Sequence, residues 1–167
     1  MEKVAVYPGT FDPIHNGHTD LIQRASRLFD RVIVAVAASA GKNPCFTVGE
    51  RVGLATEVLE KFDNVSVESF EGLLVHFAAR RKAHIVVRGL RAVSDFEYEL
   101  QLANMNNKMF EKLETLFLPA DEAFGYVSST LVREIAMMNG DPRPFVDPLV
   151  ARAFDGKLAI LAGRCAG

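Results

Sequence analysis

Apolar runs without alternation mark the buried strands of this chain. Val32-Ile33-Val34-Ala35-Val36-Ala37 and Ile85-Val86-Val87 carry no polar residue at every second position. A strand with one wet face alternates, whereas a strand covered on both faces does not need to. The pattern predicts strands over 3–7, 31–38, 65–70, 84–88 and 114–119. Longer amphipathic segments between them predict helices near 17–29, 48–62, 72–82 and 94–111, then 129–139 and 147–155. Two helix starts read as capping boxes, Thr47-Val48-Gly49-Glu50 and Ser94-Asp95-Phe96-Glu97. Alternating strands and helices imply an α/β, doubly wound domain. This is a Rossmann-like open parallel sheet of about five strands with helices on both faces.

Length predicts a single domain over residues 1–167. Asp141-Pro142-Arg143-Pro144 marks a turn before the last helix, and the small, apolar tail 159–167 is expected to be poorly ordered. The net charge is −2, so bulk basicity does not point to nucleic acid, and any anion site has to come from local charge. Cys45 and Cys165 supply neither a disulfide framework nor metal-ligand spacing. No leader segment is read at the N-terminus, and no apolar run approaches the roughly 20 residues that span a bilayer. The expectation is a cytoplasmic protein without membrane contact.

Ligands of this fold class bind outside the carboxyl ends of the strands, near a topological switch point. The unusual polar residues fall at those ends. Thr10 follows the first strand, Ser39 and Lys42 the second, and Gly72, Leu73 and Leu74 the third. Arg88 and Arg91 follow the fourth, and Asp121 with Ser128-Ser129-Thr130 the fifth. The turn Gly9-Thr10-Phe11-Asp12-Pro13-Ile14-His15-Asn16-Gly17-His18 carries two histidines into a helix start. Free backbone N–H groups and the positive end of the helix dipole suit phosphate there. The same dipole is expected to lower the pKa of His18, leaving it a neutral hydrogen-bond donor. Zinc is a weaker reading of the two histidines, since no third ligand or H-E-x-x-H spacing accompanies them.

Arg88 ends a buried strand, a costly position unless its fork meets an anion. The competing reading is a salt bridge to Asp95 or Glu97. The hydroxyls of Val127-Ser128-Ser129-Thr130-Leu131-Val132-Arg133 open a helix, where one of them caps and the rest suit phosphate. No acid–base carboxylate pair, Ser-His-Asp set or P-loop is present. A nucleophile that is already ionised needs none of them. Phosphate attack on a nucleoside triphosphate is such a reaction, carried by positioning and charge stabilisation.

The His-x-Gly-His turn and the Ser-Ser-Thr-x-x-Arg segment resemble a nucleotidyltransferase superfamily. Arg-Gly-Leu-Arg-Ala-Val-Ser-Asp-Phe-Glu-Tyr-Glu-Leu-Gln-Leu-Ala-Asn-Met-Asn from Arg88 to Asn106 is similar, within it, to the phosphopantetheine adenylyltransferase family. The resemblance implies reversible adenylyl transfer from ATP, with Mg²⁺, to 4′-phosphopantetheine, giving dephospho-coenzyme A and pyrophosphate. It implies a catalytic set of His18, Thr10, Lys42 and Arg91. Thr10, Lys42, Leu74 and Arg88 would bind the acceptor. Thr10, Phe11, His18, Gly89, Leu90, Arg91, Glu99, Phe124, Gly125, Tyr126, Val127, Ser128, Ser129 and Thr130 would bind ATP. It assigns no metal ligands. It also implies a homohexamer, with coenzyme A as feedback inhibitor. The residues fit a helical face made of Tyr98, Leu102, Met105 and Met109 for such assembly. Two alternatives stay open: an adenylyltransferase acting on nicotinate or nicotinamide mononucleotide, and a non-catalytic nucleotide-binding sensor. A second anion site at Lys42 and Arg88 favours an enzyme over the sensor.

Overall fold

The computed structural model describes residues 2–39 and 44–165. Five strands form its sheet: β1 (Val4–Gly9), β2 (Arg31–Ala37), β3 (Val65–Phe70), β4 (Ile85–Leu90) and β5 (Glu114–Pro119). All pairings are parallel, in the order β3-β2-β1-β4-β5. The helices are α1 (Asn16–Leu28), α2 (Val48–Leu59), α3 (Leu74–Arg80), α4 (Val93–Met109), α5 (Ser129–Met137) and α6 (Pro148–Cys165).

The unalternating run of β2 has the cause read from the sequence. Val32, Val34 and Val36 enter one apolar layer with Ile22, Ala55, Val132 and Phe154. Ile33 and Ala35 enter the other with Val75, Phe77 and Val86. A strand inserted between two cores has no position to give to a polar residue. Thr47 caps α2 through the expected box, its Oγ accepting from the Glu50 amide.

Several boundaries differ from expectation, β1 running on to Gly9 and α3 being shorter at both ends among them. The fourth strand does not stop at 88, because its ladder with β5 continues through Arg88↔Phe117, Gly89↔Leu118 and Leu90↔Pro119. α4 begins at Val93 with Ala92 as its cap residue and no side-chain cap, ahead of the start expected at Ser94. α6 reaches Cys165 rather than ending near 155. The run Leu158-Ala159-Ile160-Leu161-Ala162 is made of good helix formers, which offset the cost of Gly156.

The switch point lies between β1 and β4. β1 pairs with β2 at six positions but with β4 at only two, Ala5↔Ile85 and Val6↔Val86. Beyond Val6 the two strands part, and a crevice opens at their carboxyl ends. α1 packs close over it. A Cβ on Gly89 would stand 2.4 Å from Leu21 Cδ1, so only glycine lets the helix approach β4 this closely. Among the described residues, no helix is long and apolar enough to cross a membrane.

Candidate active site

The crevice is a cleft of about 730 Å³. Its lining includes Thr10, His18, Leu74, Arg88, Gly89, Arg91, Glu99, Phe124, Val127, Ser128, Ser129 and Thr130. Residues expected from five separate segments therefore meet at one place. Phe11, Leu90, Gly125 and Tyr126 do not line it. Phe11 is buried beneath His18 as an edge-on partner, with ring centroids 4.8 Å apart. Lys42 lies outside the described residues.

His15 is the N-cap residue of α1. Its backbone N–H donates to Nδ1 of His18 over 3.2 Å, and its carbonyl accepts from the His18 amide over 2.9 Å. An accepting Nδ1 leaves the neutral imidazole's proton on Nε2. Burial holds the His18 pKa well below the usual histidine value, and the charges of Arg91 and Arg88 and the His15 ring push the same way. The sequence expectation had the right direction, and burial is the largest cause. His15 itself titrates at about 4, again chiefly through burial. Gly17 keeps this turn compact, since a Cβ there would come within 3.1 Å of the His15 ring.

Arg88 donates from Nε to Glu99 Oε2 over 2.6 Å and from Nη2 to Glu99 Oε1, while Nη1 donates to the Pro8 carbonyl over 3.0 Å. Its partner is neither Asp95 nor Glu97, the two carboxylates considered from the sequence. Asp95 instead accepts from Arg91 Nε over 3.3 Å, one helical turn away. Glu99, expected to bind ATP, is engaged with Arg88. Five N–H groups less the three in use leave Arg88 two for a ligand.

The α5 N-terminus forms the far wall. Ser128 is its cap, accepting from the Leu131 amide over 3.2 Å. Ser129 Oγ donates to the Pro13 carbonyl over 2.9 Å, and Arg133 Nη1 donates to the Asp12 carbonyl over 2.6 Å. The second motif is thus tied to the backbone of the first. Asp12 is buried and accepts two amides, Cys45 N–H on Oδ2 and Phe46 N–H on Oδ1. It anchors the segment leading into α2 and has little access to a reacting atom. Among the described residues, no group of three or more His, Cys, Asp or Glu side chains is arranged to hold a metal ion.

Sequence reasoning missed Arg51. It is buried in the first turn of α2, and its guanidinium donates to four backbone carbonyls: Phe46, Thr10, Ala37 and Ala38. Carbonyl acceptors leave no trace in a sequence pattern. The only available signal was a charged residue on the apolar side of an amphipathic helix.

A cleft at the switch point, walled by two helix N-termini and by arginines, is the arrangement of an α/β nucleotide-binding enzyme. A cytidylyltransferase-like family model matches residues 6–135. The chain is 56% identical over 158 residues to a phosphopantetheine adenylyltransferase of Hahella chejuensis, covering 95% of this chain and 98% of that one. It is 58% identical over 155 residues to one of Alkalilimnicola ehrlichii, covering 92% and 89%. A Vibrio parahaemolyticus structure provisionally assigned as a nicotinate-nucleotide adenylyltransferase superposes with a TM-score of 0.70. It is 17% identical, over 92% of this chain and 99% of that one, a likeness of fold alone. The chain is a nucleotidyltransferase, and it belongs to the phosphopantetheine adenylyltransferase family.

Proposed function

We propose that this enzyme transfers the adenylyl group of ATP to the phosphate of 4′-phosphopantetheine, giving dephospho-coenzyme A and pyrophosphate. The observation that carries the reading is the convergence of His18, Arg88, Arg91 and the α5 N-terminus on one cleft. The names of the relatives supply the substrate.

A phosphate-monoester dianion of the acceptor attacks the α-phosphorus of ATP. The new P–O bond forms as the bond to the β-phosphate oxygen breaks, and pyrophosphate leaves with its electron pair. No proton has to be removed from the nucleophile. Neutral His18 donates from Nε2 to the α-phosphoryl oxygens as charge develops there. Thr10 adds its hydroxyl from the end of β1. Arg91 and the hydroxyls and amides of Ser128, Ser129 and Thr130 hold the triphosphate. Arg88, oriented by Glu99, and Lys42 hold the acceptor phosphate, and Leu74 lies along its arm.

Mg²⁺ bound to the triphosphate would neutralise part of its charge. The cleft's carboxylates, Asp12, Asp95 and Glu99, already accept from protein donors. Phosphate oxygens and water suit the ion as its ligands, since magnesium usually keeps several waters beside substrate phosphates.

The exposed apolar side chains of α4, among them Tyr98 at 63% and Met105 at 61%, support self-association into the homohexamer. Leu102, also expected on that face, is only half exposed. Coenzyme A, which shares the product's phosphopantetheine arm, is proposed as a feedback inhibitor. A cytoplasmic location agrees with this cofactor-making role.

The test is pyrophosphate release from ATP with each of three acceptors. Turnover with 4′-phosphopantetheine is expected. Turnover only with nicotinate or nicotinamide mononucleotide would replace the acceptor, and no turnover with any would return the sensor reading.

A further inference from the structure

We propose that Arg51 is a positioning residue for the acceptor side of the reaction, acting through the backbone of Thr10 and of the end of β2. The inference rests on the function proposed above and adds a residue that touches neither substrate.

Nη1 of Arg51 donates to the Thr10 carbonyl at 2.7 Å and to the Ala37 carbonyl at 2.8 Å. Nη2 donates to Ala38 at 3.2 Å, and Nε to Phe46 at 3.1 Å. The Thr10, Ala37 and Ala38 carbonyls lie where the β1 and β2 ladders have ended or are ending, and Phe46 precedes the α2 cap, so the sheet does not satisfy all four. A buried carbonyl without a donor is costly, and one planar guanidinium here serves four. The Phe46 peptide is held from both sides. Its N–H donates to Asp12 at 2.8 Å and its carbonyl accepts from Arg51. Among the described residues no carboxylate contacts Arg51 directly, and four carbonyl dipoles meet its charge instead. A hydrophobic side chain would fill the space without gathering the two strand ends.

The geometry also says which substrate feels the loss. Thr10 and Ala37 line the β2 side of the cleft, with Phe70 and Leu74. The ATP-holding residues Arg91, Ser128, Ser129 and Thr130 lie on the other side, on elements Arg51 does not touch. A small misplacement of Thr10 and the β2 end therefore falls on the acceptor and on the chemical step, not on ATP affinity.

The experiment compares the wild type with Arg51→Lys and Arg51→Met. Lysine keeps the charge and offers three donors to four acceptors, and methionine keeps only volume. Arg51→Lys is expected to lower kcat/KM for 4′-phosphopantetheine by about tenfold or more and Arg51→Met by about 10²-fold, with KM for ATP within twofold. A KM for ATP raised as much as that for 4′-phosphopantetheine, or an unchanged kcat/KM for 4′-phosphopantetheine, would overturn the positioning role. Amide hydrogen exchange of segment 44–47 against that of α5 provides a readout free of activity. Faster exchange in 44–47 alone is expected for Arg51→Lys, and unchanged exchange would overturn the proposal. Should the wild type fail to use 4′-phosphopantetheine, the acceptor assignment falls, and exchange together with ATP affinity by calorimetry still decides Arg51. Should Arg51→Met not fold, Arg51→Lys carries the comparison.

Discussion

His15 and His18 stack with ring centroids 3.6 Å apart and planes 23° from parallel. The same pair is joined by the His15 N–H donating to His18 Nδ1. Stack and hydrogen bond together fix both the tilt and the tautomer of His18. His18→Ala is expected to lower kcat by on the order of 10²-fold or more, with a weaker effect on ATP affinity. Steady-state kinetics with direct ATP titration checks it. Near-normal turnover would remove His18 from its role.

The two depressed histidines also set a pH dependence of stability. His15 titrates at about 4 when folded, against about 6.5 when unfolded. Between those values the unfolded chain binds more protons, so stability rises with pH and is lost on acidification through this window. The thermal midpoint should fall as pH drops from about 6.5 toward about 4, and His15→Gln should flatten that slope. An unchanged slope would place the acid sensitivity elsewhere.

Arg88 and Arg91 stand on the same segment and both line the cleft, and they are proposed to hold different substrates. Arg88→Ala and Lys42→Ala are expected to weaken 4′-phosphopantetheine binding by about tenfold or more, and Arg91→Ala to weaken ATP binding. Glu99→Gln should follow Arg88→Ala, because it frees the guanidinium that Glu99 orients. Calorimetric titration of each variant with each substrate reads the split. Loss of ATP binding alone in Arg88→Ala would reverse the assignment.

A reaction without a general base predicts where carboxylates do not matter. Activity should rise through about pH 6 as the acceptor phosphate becomes a dianion, then stay flat. Asp121→Asn is expected to keep its turnover and its pH profile. Asp12→Asn should lower the thermal midpoint, because Asp12 accepts the Cys45 and Phe46 amides, yet keep the same rise and plateau. A folded variant losing that rise would show a carboxylate moving a proton.

Assembly through α4 has its own test. Light scattering at micromolar concentration should give a mass several times the 18.4 kDa of the chain. Met105→Glu, at an exposed position, should reduce that mass. A wild-type monomer that still turns over would end the hexamer proposal and leave the chemistry untouched.

The fold was legible because buried strands leave an apolar run, and the run of β2 is explained by two cores taking alternate residues. The cleft was legible because its side chains follow strand ends and helix starts, where Thr10, His18 and Ser128 sit. What was not legible is how charges pair. Arg88 chooses Glu99 over Asp95 and Glu97 because the helix turns that carboxylate toward the strand. Arg51 answers to carbonyls, which every residue has. The anchoring role of Asp12 is visible only in the amides it accepts.

The brief pairing of β1 with β4 has a consequence for how such enzymes diversify. The opening is a fork in the backbone, not a gap left by small side chains. Replacing the residues on its walls changes what enters without asking the sheet to repack. Residues proposed to line the acceptor's arm, such as Leu74, can therefore change on the β2 bank without disturbing the α5 N-terminus on the other. A scaffold built this way can be retargeted by surface edits alone.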